Sequence, residues 1–177
     1  MKLNRLKGNF LLSSPCGDEL GGVFSGSVVY IFRDDCDGVD GFIINKPISD
    51  GAAVLKSVLG SAEANNPNNN KLYLGGPVSQ ARLGVLFFKG GRVQISYSRT
   101  TIERVFHSEQ RYSAKFILGL SSWDRDQLYT EIANNYWYVV PGCQKALFST
   151  NDSEIKLLSQ DKLGLSAGFV SSFCGSS

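Results

Sequence analysis

Short runs of Val, Ile, Leu, Phe and Tyr, broken by glycine, proline or paired charges, recur along most of this chain. That punctuation predicts strands joined by tight turns. We read strands over 10–13, 27–33, 41–45, 71–74, 84–88, 92–97, 115–120 and 136–140, with a further candidate at 146–149. Residues 34–40 predict an acidic hairpin turn. Lys89-Gly90-Gly91-Arg92 predicts a second, because paired glycines accept the positive φ of a two-residue turn. Helices are placed from their caps. Thr100-x-x-Glu103 predicts a helix over 101–109, Asp124-x-x-Gln127 one ending at Asn134, and Asn151-x-x-Glu154 one ending at Gln160. A fourth, 51–59, lies between Asp50 and Gly60. Leu128 and Ile132 share one helix face, as do Ile155 and Leu158. Residues 65–70, with Pro67, lack an apolar anchor and read as a loop, and the Gly/Ser-rich stretch 166–177 reads as a fraying tail. Strands and helices interleave without a regular βα repeat, which favours α+β.

Composition narrows the class. At 177 residues, 42% hydrophobic and 19% charged, the chain reads as one globular domain spanning 1–177. Its 18 basic and 16 acidic side chains leave a net charge of +2, too small to carry nucleic-acid or membrane affinity alone. Phe10-Leu11-Leu12 is too short for a secretory apolar core, and Pro15 before Cys16 does not suit a lipoprotein site. The longest unbroken apolar runs, 28–32 and 136–140, are far below the roughly 18 residues of a membrane span. The expectation is a cytoplasmic protein with no membrane contact. Cys16, Cys36, Cys143 and Cys174 are widely spaced and only His107 can join them, so we expect reduced thiols, no metal site and no cofactor.

Catalytic signatures are sparse. Neither dinucleotide nor P-loop glycine motifs occur. Gly164-Leu165-Ser166-Ala167-Gly168 matches a nucleophile elbow but lacks the preceding strand and a later histidine. A cysteine-dependent enzyme, with His107 as base and Cys16, Cys36 or Cys143 as nucleophile, is one alternative, although no spacing supports it. Another is a nucleic-acid face built from Arg92, Arg99, Arg104 and Arg111, with Lys115 beyond them and Tyr97, Phe106, Tyr112 and Phe116 interleaved. Charge is sparse there and three of those aromatics match core positions, so a solvated face is favoured.

Gly75-Gly76-Pro77 ends a strand in a turn whose N–H groups can face an anion, with Lys46 and Arg82 supplying charge if the strands converge. Asn45 and Trp123 complete that candidate site. The competing reading is architectural: glycines for positive φ, Pro47 and Pro77 fixing strand exits, Asn45 bonding loop backbone.

Three strings carry a resemblance. Gly41-Phe42-Ile43-Ile44-Asn45-Lys46-Pro47, Leu74-Gly75-Gly76-Pro77-Val78, and the segment holding Gly119, Trp123, Gln127, Leu128, Glu131, Ile132 and Trp137 resemble the signatures of the YqgE/AlgH family of bacterial proteins, over about 7–160. The resemblance implies an α+β fold: a mixed, largely antiparallel bifurcated sheet curled into a pseudo-barrel, with about four flanking helices. It implies little about activity, although the family carries a transcriptional-regulator label. Ser25 and Gly26 stand where the family usually has an arginine pair, Asp34 and Phe87 where it usually has histidines, and Ala81 replaces an acidic residue. We therefore expect a non-enzymatic cytoplasmic protein binding a protein partner or a small polar ligand. The alternatives are a nucleic-acid-associated regulator and a cysteine-dependent enzyme.

Overall fold

Consecutive strand residues point to opposite faces of a sheet, and in the central strands both faces are covered, which is why those read as near-continuous apolar runs. The computed structural model describes residues 6–19, 22–60, 70–108, 113–149 and 151–161. Among these, the order is β1 (Asn9–Ser13), α1 (Pro15–Glu19), a 3-10 turn (Gly22–Phe24), β2 (Val28–Asp35), β3 (Gly38–Ile43), α2 (Gly51–Val58), β4 (Leu72–Leu74), β5 (Val78–Lys89), β6 (Arg92–Ser96), α3 (Arg99–Phe106), β7 (Ala114–Trp123), α4 (Arg125–Ala133), β8 (Trp137–Pro141), α5 (Gln144–Phe148) and α6 (Asp152–Asp161). The sheet runs β6-β5-β7-β3-β2-β1-β8. All of these neighbours are antiparallel, while β4 joins β7 in parallel.

Strand β7 is the fork. Residues 116–118 pair with β4, and residues 121–123 pair with β3. The bifurcated α+β sheet implied by the resemblance is therefore present. It stays open, since the end strands β6 and β8 do not pair among the described residues. Six α-helices flank it there rather than about four. The surplus consists of α1 and α5, each five residues long and too short to show a helical period in the sequence.

Three clusters fill the interior. Phe10, Leu12, Val28, Phe42, Ile44, Leu86, Ile117 and Val140 bury against Ala146 and Leu147 of α5 and Ile155 of α6. The intervening residues Leu11, Val29, Ile31 and Ile43 go to the other face, against Leu128 of α4. Farther along that face, Leu72, Val85, Phe87 and Phe116 meet Leu55 of α2 and Ile102, Val105 and Phe106 of α3. Each buried side chain of this kind contributes about 1.5–3 kcal/mol.

Several expectations change. The strand expected at 146–149 is helix α5, because Pro141 and Gly142 end the sheet and Ala146 and Leu147 then bury against it. Helix α3 begins at Arg99 behind Ser98 and ends at Phe106, so Thr100 is not its cap. Glu103 is held instead by Arg99 at 2.7 Å, one helical turn away. Asp124 caps α4 by position without a side-chain hydrogen bond. Only the last expected cap forms through its side chain, with Glu154 N donating to Asn151 Oδ1 at 3.2 Å. The acidic hairpin and the Gly90-Gly91 turn stand where expected, with φ of 60° and 76° at the two glycines. Of the loop expected at 65–70 only Asn70 is described, and it is buried; residues 65–69 and the tail at 166–177 lie outside the described residues.

Candidate functional site

The Asn45-Lys46-Pro47 and Gly75-Gly76-Pro77 turns converge. Leu74 N donates to Lys46 O at 2.9 Å, Ile43 N to Gly75 O at 2.9 Å, and Gly75 N to Leu118 O at 2.8 Å. Ser121 Oγ adds a bond to Gly75 O at 3.0 Å. No side chain fits at these glycines: a Cβ on Gly75 would strike Gly119 O, and one on Gly76 would strike Leu120 O and Ser121 Oγ.

Asn45 and Lys46 turn away from this junction and hold the segment before β2. Val28 N donates to Asn45 Oδ1 at 2.8 Å, and Asn45 Nδ2 donates to Gly26 O at 2.9 Å. Lys46 Nζ donates to Val23 O at 2.6 Å and Ser25 O at 2.7 Å. Desolvation pushes the Lys46 pKa down, against the pull of Asp18 and with a smaller push from Lys156. Asp18 in turn accepts Gly26 N at 2.6 Å. The effect is to present Phe24 from the 3-10 turn.

Phe24 is one wall of a cavity of about 190 Å³. Trp123 and Ser122 close it from the end of β7, Gln127 and Glu131 from α4, and Tyr136 and Trp137 from the start of β8. Ser13, Gly17 and Pro77 complete the lining. The Phe24 and Trp123 centroids are 5.3 Å apart, Phe24 and Trp137 5.5 Å, and the two indoles 5.9 Å at 89°. These are the chain's two tryptophans. Glu131 is the anchor on α4: its Oε2 accepts Trp137 Nε1 at 2.8 Å, and its Oε1 accepts Gln127 Nε2 at 2.8 Å. Ser14 fixes the far corner, its N–H donating to Tyr136 O at 3.0 Å and its hydroxyl to Asn135 O at 2.5 Å.

The candidate residues thus separate. Trp123 lines the cavity at the end of β7, Gly75 and Gly76 pack behind it against residues 118–121, and Asn45 and Lys46 act one step behind Phe24. Arg82 lies on exposed β5 with its guanidinium 3.8 Å from the Tyr97 ring centroid, and it does not line the cavity. Phe24, Gln127, Glu131, Tyr136 and Trp137 join the site only through the fold. The signal for Gln127 and Glu131 is their four-residue spacing beside the apolar stripe of buried Leu128 and half-buried Ile132.

The basic residues show no stacking platform among the described positions. Arg92 opens β6, and Arg99 and Arg104 lie exposed on α3. Phe106 and Phe116 are buried against each other, and Tyr97 is covered by Arg82. Arg111 lies outside the described residues. Cys16, Cys36 and Cys143 are reduced thiols on α1, in the β2–β3 turn and before α5, and His107 is exposed at the end of α3. Asp34, at a position where the family usually has histidine, is buried: it accepts Leu6 N at 2.7 Å and pairs with Arg125 at 3.4 Å. No described helix is long and apolar enough to cross a membrane.

Comparison with known proteins places these features in a lineage. The AlgH-like family model matches residues 10–157. A UPF0301 protein of Actinobacillus pleuropneumoniae serotype 5b is 33% identical, the match covering 93% of this chain and 95% of the relative. One of Coxiella burnetii is 30% identical over 85% and 84% of the two chains. The solution structure of the AlgH protein from Pseudomonas aeruginosa superposes with a TM-score of 0.75 at 23% identity, covering 100% of this chain and 98% of that one. The crystal structure of a Corynebacterium diphtheriae protein gives 0.59 at 19% identity, over 82% and 85%. The fold, the shared motifs and the matched length give one answer: the chain belongs to the AlgH-like family.

Proposed function

We propose that this protein is a non-enzymatic, cytoplasmic binding protein, and that the cavity between α4, β8 and the Phe24 turn takes the end of a small ligand or of a partner's side chain. One observation carries the reading. Three sequence strings far apart in the chain serve a single cavity: the first holds the Phe24 turn in place, the second builds the β7 fork, and the third supplies Trp123, Gln127, Glu131 and Trp137. A concave lining of aromatic and apolar surface with a few placed polar groups is the usual form of a small-molecule site, and here four rings stand beside Ser13, Ser122, Gln127 and Glu131. The volume suits a group of ring size, since an apolar cavity of about 150 Å³ admits benzene.

Both tryptophans line the cavity, so their emission reports occupancy directly. We expect a panel of single-ring and small branched fragments, cationic, neutral and anionic, to contain members that shift this emission saturably at millimolar concentration. Phe24→Ala should weaken those members about tenfold while leaving the melting transition cooperative. If no fragment of any charge perturbs the emission, the cavity is packing geometry and the reading falls.

A further inference from the structure

We propose that the cavity is selective for an organic ammonium head, a quaternary or protonated amine carrying methyl or methylene groups; this rests on the cavity reading above. Among the described residues the lining contains four aromatic rings, Phe24, Trp123, Tyr136 and Trp137, one carboxylate, Glu131, and no lysine, arginine or histidine. Ring faces attract cations, indole most strongly, and the attraction grows when water is excluded.

Glu131 supplies the charge. Both its bonds come from neutral donors, Gln127 Nε2 and Trp137 Nε1, and no ion pair to it is formed among the described residues. An ionised carboxylate offers about four acceptor positions, so two remain for an incoming group. The nearby cations are already spent. Asp40, bonded to Ser122 Oγ, is paired with Arg33 at 2.6 Å. Lys46, behind Phe24, is bonded to two carbonyls and lies in the field of Asp18. Arg125, two residues from both Trp123 and Gln127, is turned to Asp34.

An anion in this cavity would meet Glu131 at close range, and an uncharged hydrocarbon would dehydrate it without compensation. A cation relieves both costs. About 190 Å³ is room enough for a trimethylammonium head. The same head exists in free metabolites and on methylated lysine side chains, and the test separates the two sources.

The test titrates the full chain with choline and with 3,3-dimethyl-1-butanol, which replaces the nitrogen cation by carbon at nearly the same shape, following tryptophan emission. We expect choline to bind at least tenfold more tightly than its neutral isostere. Glu131→Gln should lower choline affinity about tenfold and leave the isostere unchanged. Gln127→Lys, on an exposed position of α4, is the second variant: its ammonium should pair with Glu131 across one helical turn and block choline without altering the core. Competition by a short peptide bearing trimethyllysine at lower concentration than choline assigns the head to a partner's side chain, and the reverse assigns it to a free metabolite; either supports the ammonium site. Equal affinity for choline and its isostere, or a response to uncharged or anionic fragments alone, overturns the ammonium proposal and leaves the cavity reading standing. Silence toward every probe removes both.

Discussion

Lys115 sits on the buried face of β7 at 2% exposure, although its sequence neighbourhood groups it with surface arginines. Parity explains the difference: it shares a face with Ile117, and α5 and α6 cover that face. Its ammonium donates to Ile44 O at 2.9 Å and lies 3.8 Å from the Tyr73 ring centroid. Burial pushes its pKa down to about 7, a shift that Asp152 opposes and Lys71 reinforces. Burial also pushes the Tyr73 phenol up, and its hydroxyl has no hydrogen-bond partner among the described residues. The consequence for stability follows from linkage. Between about pH 7 and the unfolded value of 10.5 the unfolded chain keeps the Lys115 proton while the folded chain releases it. Stability therefore rises with pH across that window, with a limiting slope of about 1.4 kcal/mol per pH unit. Lys115→Met removes this slope and adds a constant cost of about 1 kcal/mol for the carbonyl left without its donor. Denaturant unfolding of both proteins at pH 7, 8 and 9 should show the wild type gaining on the variant with each step. Parallel pH profiles would mean that the folded amine keeps its proton throughout.

At the scale of elements, the decisive device is a reversal of parity in β7. Ala114, Phe116 and Leu118 face the α2–α3 side, and Lys115 and Ile117 the α5–α6 side. Strict alternation would send Trp123 to the second side with Ile117. Gly119, at φ +75°, shifts the alternation by one residue, so that Leu120 joins the α5–α6 side and Trp123 reaches α4. Such a left-handed residue in a strand is the device of a bulge, and glycine adopts it without cost. A Cβ at Gly119 would also lie 2.7 Å from Gly76 O and 3.0 Å from Val78 O. Gly119→Ala should therefore cost about 1–3 kcal/mol for the strained conformation, plus the displacement of backbone it cannot avoid. Chemical denaturation should show that loss, and a red shift of native tryptophan emission should accompany it as the cavity loosens. An unchanged emission maximum would separate the fork from the site. Sequence pattern made the strands legible, because two covered faces produce continuous apolar runs. It did not make α1 and α5 legible, since five residues show no helical period. The same limit applies to the site. Trp123 stood in a motif, and Gln127 and Glu131 stood one turn apart beside a buried stripe. Phe24 looked like any core aromatic. The charges of Lys46 and Arg82 pointed to an anion because their partners, the carbonyls of Val23 and Ser25 and the ring of Tyr97, lie 15 to 23 residues away and leave no local trace.

For the whole molecule, the question is whether the fork divides the fold into two cooperative units. The face toward α4 and the face toward α2 and α3 hold separate clusters, one drawing on β1, β2, β3, β8 and the last residue of β7, the other on β4, β5 and the first half of β7. Taken alone, that arrangement predicts two transitions. The opposite face argues against it, because a single cluster there runs from Phe10, Val28, Phe42 and Val140 across to Leu86 and Ile117, capped by Leu147 and Ile155. Strand β7 joins the halves as well, pairing with β5 on one edge and with β3 and β4 on the other. Losing either half would expose that shared cluster, at about 1.5–3 kcal/mol for each large side chain. The shared cluster couples the two halves, so one transition is expected. The protein supplies its own probes: both tryptophans lie in the α4 half, whereas far-UV circular dichroism reads the entire sheet. Urea unfolding followed by emission and by dichroism should give coincident midpoints and slopes, the usual criterion for two-state behaviour. Phe42→Ala, at the centre of the shared cluster and 1% exposed, should lower both midpoints together by an amount equivalent to about 3–5 kcal/mol. An emission transition that precedes the dichroism transition, or a Phe42→Ala variant in which only one of them moves, would show that the fork separates two folding units and that the cavity belongs to the weaker one.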